Sequence, residues 1–136
     1  MATGIPAKEL KKKEKIPVSP LELLSLFLPV GMLEYFDLVG HISQDTCFIL
    51  FLKEKARIPQ ELSHLHLHSK GFFPEIEVQD FPIRGKAVYL RIKRRRWEDP
   101  STGMTYSRDW NLVASGTRIT AEFGAFLKEL LRHSCG

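Results

Sequence analysis

A chain of 136 residues and 15.6 kDa is long enough for one domain with a hydrophobic core and too short for two domains of ordinary size. Its 43% hydrophobic and 26% charged residues are typical of globular proteins and exclude a collagen-like repeat, a coiled coil or a disordered chain. The longest apolar stretch, residues 21–36, is interrupted by two glutamates, a proline and a glycine, so it cannot span a bilayer. No signal-peptide cleavage site follows it, and we expect a cytoplasmic protein that makes no contact with membranes.

The net charge of +4 is distributed unevenly. Residues 1–15 hold five lysines and two glutamates and are predicted to be a flexible basic arm ahead of a single domain, residues 16–136. Residues 16–83 are acidic, with four bases and nine acids, whereas residues 84–118 hold nine bases and three acids. Three acids cannot neutralise nine bases, so this block is predicted to bind polyanions.

The N-terminal half predicts a short helix followed by a strand. Residues 19–22 (SPLE) form a capping box, with Pro20 at the first helical position. Residues 46–52 (TCFILFL) are short, apolar and rich in aromatic side chains, which favours a buried strand. Ile76, Val78 and Phe81 indicate another short strand.

Three histidines alternate with leucines at His64, His66 and His68, so an extended chain would place three imidazoles on one face. Such a row could share a zinc ion, but no further carboxylate or thiolate ligand is identifiable, and we expect no metal. The chain also has no nucleophile paired with a base, no phosphate-binding glycine loop and no spaced set of carboxylates. We therefore expect no catalysis by this chain and no cofactor.

The clearest strand pattern runs through residues 86–97. Val88, Leu90 and Ile92 are predicted to share the buried face of this strand. Residues 99–103 supply a turn, and residues 104–113 are predicted to return as the second strand of a hairpin. The side chains predicted to share the outward face of the first strand are those of Tyr89, Arg91, Lys93, Arg95 and Trp97.

A C-terminal amphipathic helix is predicted from Thr120, a capping residue, through apolar residues at helical spacing up to Arg132. The predicted fold is therefore α+β. It consists of a small, mostly antiparallel sheet with a basic β-hairpin, a short N-terminal helix and this C-terminal helix.

Guanidinium groups match the geometry of phosphates, and aromatic rings stack on bases or on arginine side chains. The predicted DNA-binding residues are Arg84, Lys86, Tyr89, Arg91, Lys93, Arg94, Arg95, Arg96, Trp97, Arg108 and Arg118. An alternative is a solvated strand whose charges serve solubility or pair with nearby acids. RNA binding through Tyr89 and Trp97 is a further possibility.

Four segments resemble the N-terminal region protein of a bacterial insertion-sequence transposase of the DDE type. They are residues 69–74 (SKGFFP), 79–97 (QDFPIRGKAVYLRIKRRRW), 107–114 (SRDWNLVA) and 116–118 (GTR). The resemblance implies that one reading frame of such a mobile element encodes this DNA-recognising part and that a second reading frame encodes the catalytic part. The implied partners are double-stranded DNA and the catalytic transposase subunit, with DNA recombination carried out by a separate chain or a longer fused product.

The wider transposase family often has an amino-terminal zinc ribbon whose second Cys-x-x-Cys pair follows the basic strand. Residues 98–103 (EDPSTG) stand at that place here and contain no cysteine, so zinc is not expected. A rival hypothesis is a protein-interaction or regulatory module that docks on the catalytic subunit. It would use the apolar run at residues 48–52 or the helix face at residues 123–131.

Overall fold

The computed structural model describes residues 15–108, 110 and 118–134, which form two small sheets and three α-helices. In chain order the elements are α1 (Pro20–Ser25), α2 (Met32–Tyr35), β1 (Phe36–Ser43), β2 (Cys47–Glu54), a 3₁₀ turn (Gln60–Leu62), β3 (His68–Phe72), β4 (Ile76–Ile83), β5 (Lys86–Lys93), β6 (Arg95–Glu98), β7 (Thr105–Tyr106) and α3 (Ala121–Ser134). The larger sheet has the order β1-β2-β5-β4, and the smaller sheet has the order β3-β6-β7. All pairs are antiparallel except β2 with β5, which are parallel. The predicted α+β class is confirmed.

Both predicted capped helices are present. The Ser19 hydroxyl accepts a hydrogen bond from the Glu22 amide at 3.1 Å, and Pro20 is the first residue of α1. The Thr120 hydroxyl accepts from the Phe123 amide at 3.3 Å and donates to the Asp80 carboxylate at 2.8 Å. Thr120 therefore caps α3 and fastens it to β4 at the same time. These bonds satisfy amides that the first turn of a helix leaves without partners.

The core lies on one face of the larger sheet. Val88, Leu90 and Ile92, predicted to point inward from one strand, are each at most 1% exposed. Leu28, Met32, Leu33 and Phe36 cover them from the segment that contains α1 and α2. Full burial of one such side chain stabilises the fold by roughly 1.5–3 kcal/mol, so this face is the main source of stability.

The predicted strand over residues 86–97 is interrupted, which corrects the expectation of one continuous strand. It is β5 as far as Lys93 and resumes as β6 at Arg95, in the other sheet. The carbonyl of Arg94 accepts from the Phe73 amide at 2.9 Å, and the amide of Arg95 donates to the Glu54 side chain at 3.0 Å. Backbone groups that would have continued the ladder are therefore bonded to other segments.

Glu54, the last residue of β2, forms hydrogen bonds at the point where the chain passes from β5 in the larger sheet to β6 in the smaller sheet. Its side chain is buried, and its Oε1 accepts from the Arg95 amide at 3.0 Å and from the Trp110 indole Nε1 at 3.3 Å. Its backbone carbonyl accepts from Arg95 Nε at 3.0 Å. Burial raises the pKa of the Glu54 carboxyl above its ordinary value, although the hydrogen bonds from Arg95 and Trp110 offset part of this increase.

The predicted hairpin is present as β6 and β7, joined by a six-residue loop over residues 99–104. The Asp99 carboxylate accepts from the amide and the hydroxyl of Ser101 at 2.9 and 2.7 Å, which stabilises the turn. The returning strand is shorter than predicted, because only residues 105–106 pair with β6 within the described part. Residues 109 and 111–113 of that prediction, and all of the basic arm except Lys15, lie outside the described residues.

The three histidines do not lie together on one extended strand. His64 lies in the turn that follows the 3₁₀ segment, and only His68 belongs to a strand. The backbone turns there because Leu65 donates to the Leu62 carbonyl at 3.0 Å. Over residues 15–108, 110 and 118–134, no group of three or more His, Cys, Asp or Glu side chains is placed to hold a metal ion. Nor is any helix in that part long and apolar enough to cross a membrane.

The buried carboxyl of Glu54 predicts a specific dependence of stability on pH. A carboxyl whose pKa is raised on folding binds its proton more tightly in the folded state. Its contribution to the free energy of unfolding therefore falls as the pH rises from about 4.3, the ordinary glutamate value, through the raised pKa. Urea denaturation of the wild type and of Glu54→Gln should show the variant gaining relative to the wild type over this range.

The exposed Glu34 of α2 supplies the control, because Glu34→Gln changes the same chemistry without burial. The wild type and Glu34→Gln should keep a constant difference in unfolding free energy across the same pH range. A constant difference for Glu54→Gln as well would contradict the role assigned to Glu54.

Candidate nucleic-acid interface

The face of the larger sheet opposite the core combines basic and aromatic side chains. The parallel register of β2 and β5 places Ile49 beside Tyr89, Phe51 beside Arg91 and Lys53 beside Lys93. Side chains alternate between the two faces along each strand, so these three rows lie on the face opposite Leu90 and Ile92. We call the set Phe51, Lys53, Tyr89, Arg91 and Lys93 the basic-aromatic face.

Lys53 and Lys93 are neighbours of like charge. Both are exposed, and neither forms an ion pair with a carboxylate among the described residues. The Lys53 ammonium lies 5.1 Å from the centre of the Phe72 ring, a contact that leaves its charge uncompensated. Like charges directly opposite each other on a sheet destabilise it. An anion bound between the two lysines would remove this repulsion.

Arg91 is held in position by its neighbours. Its Nε donates to Oε1 of Glu77 at 3.0 Å, and its guanidinium lies 5.7 Å from the centre of the Phe51 ring. Glu77 is the neighbour of Arg91 across the β4–β5 pair. The side chain keeps 40% of its exposure. Because the ion pair and the ring fix its direction, Arg91 presents unused donors in one orientation.

Phe51 and Lys53 were not predicted as site residues. The run at residues 46–52 was interpreted as a buried strand, and Lys53 was assigned to no element. The parallel neighbour β5 brings both side chains next to Arg91 and Lys93. Residues 52–54 read Leu-Lys-Glu, which does not alternate in polarity, so the sequence holds no local signal for the outward position of Lys53.

Three of the predicted binding residues make contacts within the protein that stabilise the fold. Trp97 was expected on the outward face with Tyr89, but it is 3% exposed and lies in the smaller sheet. Arg95 packs 4.7 Å from the centre of the Phe72 ring and donates from Nη1 to the Ser69 hydroxyl at 2.8 Å, in addition to its bonds with Glu54. The interruption of the strand at Arg94 removes both Arg95 and Trp97 from the face of β5.

Arg108 is the third residue with a structural role. Its guanidinium lies between the rings of Tyr35 and Trp110, at 4.3 and 4.5 Å from their centres. Its Nε forms an ion pair with Glu61 at 2.9 Å. These contacts tie the segment after β7 to α2 and to the 3₁₀ turn, and they leave little of the guanidinium for a ligand.

The remaining predicted residues lie around the basic-aromatic face and not within it. Lys86 donates to the Gln44 carbonyl at 3.2 Å and lies over the Phe48 ring at 4.8 Å, on the core side of the sheet. Arg94 packs over the Phe73 ring at 5.4 Å. Arg84 is exposed in the two-residue turn before β5, with a φ of 55°, and Gly85 follows it at 77°. Two positive φ angles in succession are typical of the tight hairpin turn that matches the twist of the strands.

Arg96 and Arg118 are exposed at two different places. Arg96 lies on β6, in the smaller sheet. The Arg118 carbonyl accepts from the Gln79 amide at 2.8 Å, which places its backbone at the β4 edge of the larger sheet. The structure therefore gathers Tyr89, Arg91 and Lys93 on one face and disperses the other predicted residues.

Comparison with known proteins gives no match: no protein-family model, no curated protein and no solved structure matches this chain.

The different roles of neighbouring basic residues give a stability prediction. Arg95→Ala removes two hydrogen bonds and the contact with Phe72, and should lower the free energy of unfolding by about 2–3 kcal/mol. Lys93→Ala is the matched control two residues away, and should not lower the free energy of unfolding, because the substitution relieves the repulsion with Lys53. Urea denaturation at neutral pH measures both values. Equal effects of the two substitutions would contradict the division into structural and surface residues.

Proposed function

We propose that this chain is the DNA-binding N-terminal region of an insertion-sequence transposase, which recognises the ends of its mobile element in the cytoplasm. Catalysis would belong to a separate chain or to a longer fused product. The proposal has two independent supports. One is the resemblance of residues 79–97 to such proteins, and the other is the uncompensated positive charge of the basic-aromatic face.

The adjacent pair of lysines is the observation that carries the proposal. An exposed pair of like charges lowers the stability of the sheet on which it lies. Phosphates of nucleic acid supply negative charge in a regular row, and their neutralisation by lysine and arginine releases counterions. Lys53 and Lys93 in one row, with Arg91 in the next, give a backbone-binding surface on two adjacent strands.

The salt dependence of binding tests this assignment. For a labelled duplex that carries an end of the parent element, Lys53→Gln combined with Lys93→Gln should weaken binding at low salt. The plot of log Kobs against log salt should also flatten by about 1.8, since each phosphate contact contributes about 0.9 to the slope. Fluorescence anisotropy over a series of salt concentrations gives both quantities.

A matched control removes the same charge elsewhere. Lys70 pairs with Glu98 at 3.8 Å in the smaller sheet, and Lys128 is exposed on α3. The combination of Lys70→Gln and Lys128→Gln should leave the slope near its wild-type value. If both double variants flatten the slope equally, general charge and not the basic-aromatic face governs binding. If neither affects it, the proposed surface is wrong.

A second candidate function is docking on the catalytic transposase subunit, and an apolar groove favours it. Leu24, Phe27, Phe48, Leu50 and Ile83 line this groove, which lies on the core side of the larger sheet and has a volume of about 240 Å³. Phe27 is 54% exposed there. Two of these residues belong to the apolar run that the sequence offered for docking.

Salt concentration separates the two candidates. Docking through apolar contacts should persist when the salt is raised, whereas phosphate contacts should weaken steeply. Phe27→Ser should abolish binding to the catalytic subunit if the groove is the docking site, and should leave duplex binding unchanged. Binding to the catalytic subunit that is unchanged by Phe27→Ser would exclude the groove.

A further inference from the structure

The four-stranded sheet that carries the basic-aromatic face is too wide to enter a groove of a duplex. Four strands place the outer two about 14 Å apart, at roughly 4.8 Å between neighbours, whereas the major groove is about 12 Å wide. A major groove admits one helix or a two-stranded ribbon. The longest helix, α3, carries Glu122 and Glu129 against Lys128 and Arg132, so it offers no excess of positive charge. This face therefore meets a duplex only at its phosphates.

The same face nevertheless presents aromatic surface that phosphates do not need. Tyr89 and Phe51 are both half-buried, so neither residue is fully enclosed by the protein. They lie diagonally across the β2–β5 pair, with Ile49 beside Tyr89 and Arg91 beside Phe51. Of the described helices, α1 and α2 lie on the core side, and α3 contacts Phe81 of β4, an outer strand of the sheet, through two phenylalanine rings.

Along the strands of this face, two rows that contain aromatic rings are followed by a row of two lysines, an order that suits a single strand of nucleic acid. One row contains Ile49, Tyr89 and Gln79, which together offer a ring and an amide. Two residues further along the strands, roughly 6.6 Å away, Phe51 lies beside Arg91, and the two lysines follow at the same spacing. Rings that stack bases and cations that contact the backbone are the two parts of a site for unpaired nucleotides.

We propose that the basic-aromatic face binds unpaired nucleotides at a DNA end, with bases stacked on Tyr89 and Phe51 and the backbone held by Lys53 and Lys93. The inference rests on the proposed function, because it takes DNA as the source of the nucleotides. It assigns the aromatic rings a role that duplex binding leaves unexplained. Inside a duplex the bases are already stacked on each other, so only a frayed end or an overhang can reach the rings.

The test compares three labelled ligands: a blunt duplex, the same duplex with a short thymidine overhang, and thymidine-only DNA of the overhang sequence. The wild type should bind the overhang duplex more tightly than the blunt duplex. Phe51→Leu combined with Tyr89→Leu should remove this preference, with a loss of roughly 5- to 150-fold per stacked base on the overhang ligand. The loss of affinity for the blunt duplex should be smaller than the loss for the overhang duplex, because only the overhang brings unpaired bases to the rings.

The matched control is Phe126→Leu, which removes a ring that is 47% exposed on α3, away from the face. It should keep the wild-type preference for the overhang. A measurement on the wild type alone covers the case in which the double variant does not fold. Iododeoxyuridine in the overhang, irradiated in the complex, should crosslink to the peptides that contain Tyr89 or Phe51.

The outcomes separate this inference from the proposed function. Equal affinity for blunt and overhang duplexes, with crosslinks elsewhere, overturns the stacking site and leaves duplex binding intact. Absence of binding to every DNA overturns both. Tighter binding of a uridine-only RNA than of the thymidine-only DNA overturns the assignment of DNA as the source. A preference for the overhang that disappears in the leucine double variant alone supports the inference.

Discussion

Glu54 is a buried carboxylate at the end of β2, and the relation between the two sheets depends on it. Burial of a charge without partners is costly, and here the Arg95 amide and the Trp110 indole supply the hydrogen bonds that make burial possible. The Arg95 side chain returns to the Glu54 carbonyl. These contacts draw the chain out of the larger sheet after Lys93, so they also determine where the basic-aromatic face ends.

Local pattern was sufficient for the buried face of β5 and for the capped starts of two helices. Alternation identified Val88, Leu90 and Ile92 as buried, and capping residues located the starts of α1 and α3. The interruption at Arg94 was not predictable, because the acceptor for the Arg95 amide lies 41 residues away along the chain. A strand that continues and a strand that changes sheets have the same alternating pattern, and only a long-range partner distinguishes them.

For the same reason, the sequence predicted only the residues of the candidate site that lie on β5. Tyr89, Arg91 and Lys93 lie on one strand, and their common face follows from its period of two. Phe51 and Lys53 join them only because β2 lies parallel to β5, and a parallel pairing between distant segments leaves no local signal. The basic block at residues 84–118 also contains two kinds of residue that the sequence does not distinguish, those bonded within the protein and those exposed on its surface. Arginines such as Arg95 and Arg108 form several directed bonds and stack on rings, whereas the lysines of the face remain exposed.

One face of the larger sheet forms the core and the other carries the charges, which explains how this small domain tolerates a repulsive pair of lysines. Leu52, Leu90 and Ile92, on the same strands as Lys53 and Lys93, are each at most 1% exposed. Their burial contributes several kcal/mol, whereas an exposed pair of like charges costs only a fraction to about 1 kcal/mol. The sheet therefore folds despite the repulsion, and the free energy that a bound anion recovers there adds to binding. Because the core and the proposed binding surface share strands and not side chains, substitutions on the outer face leave the inner face to maintain the fold.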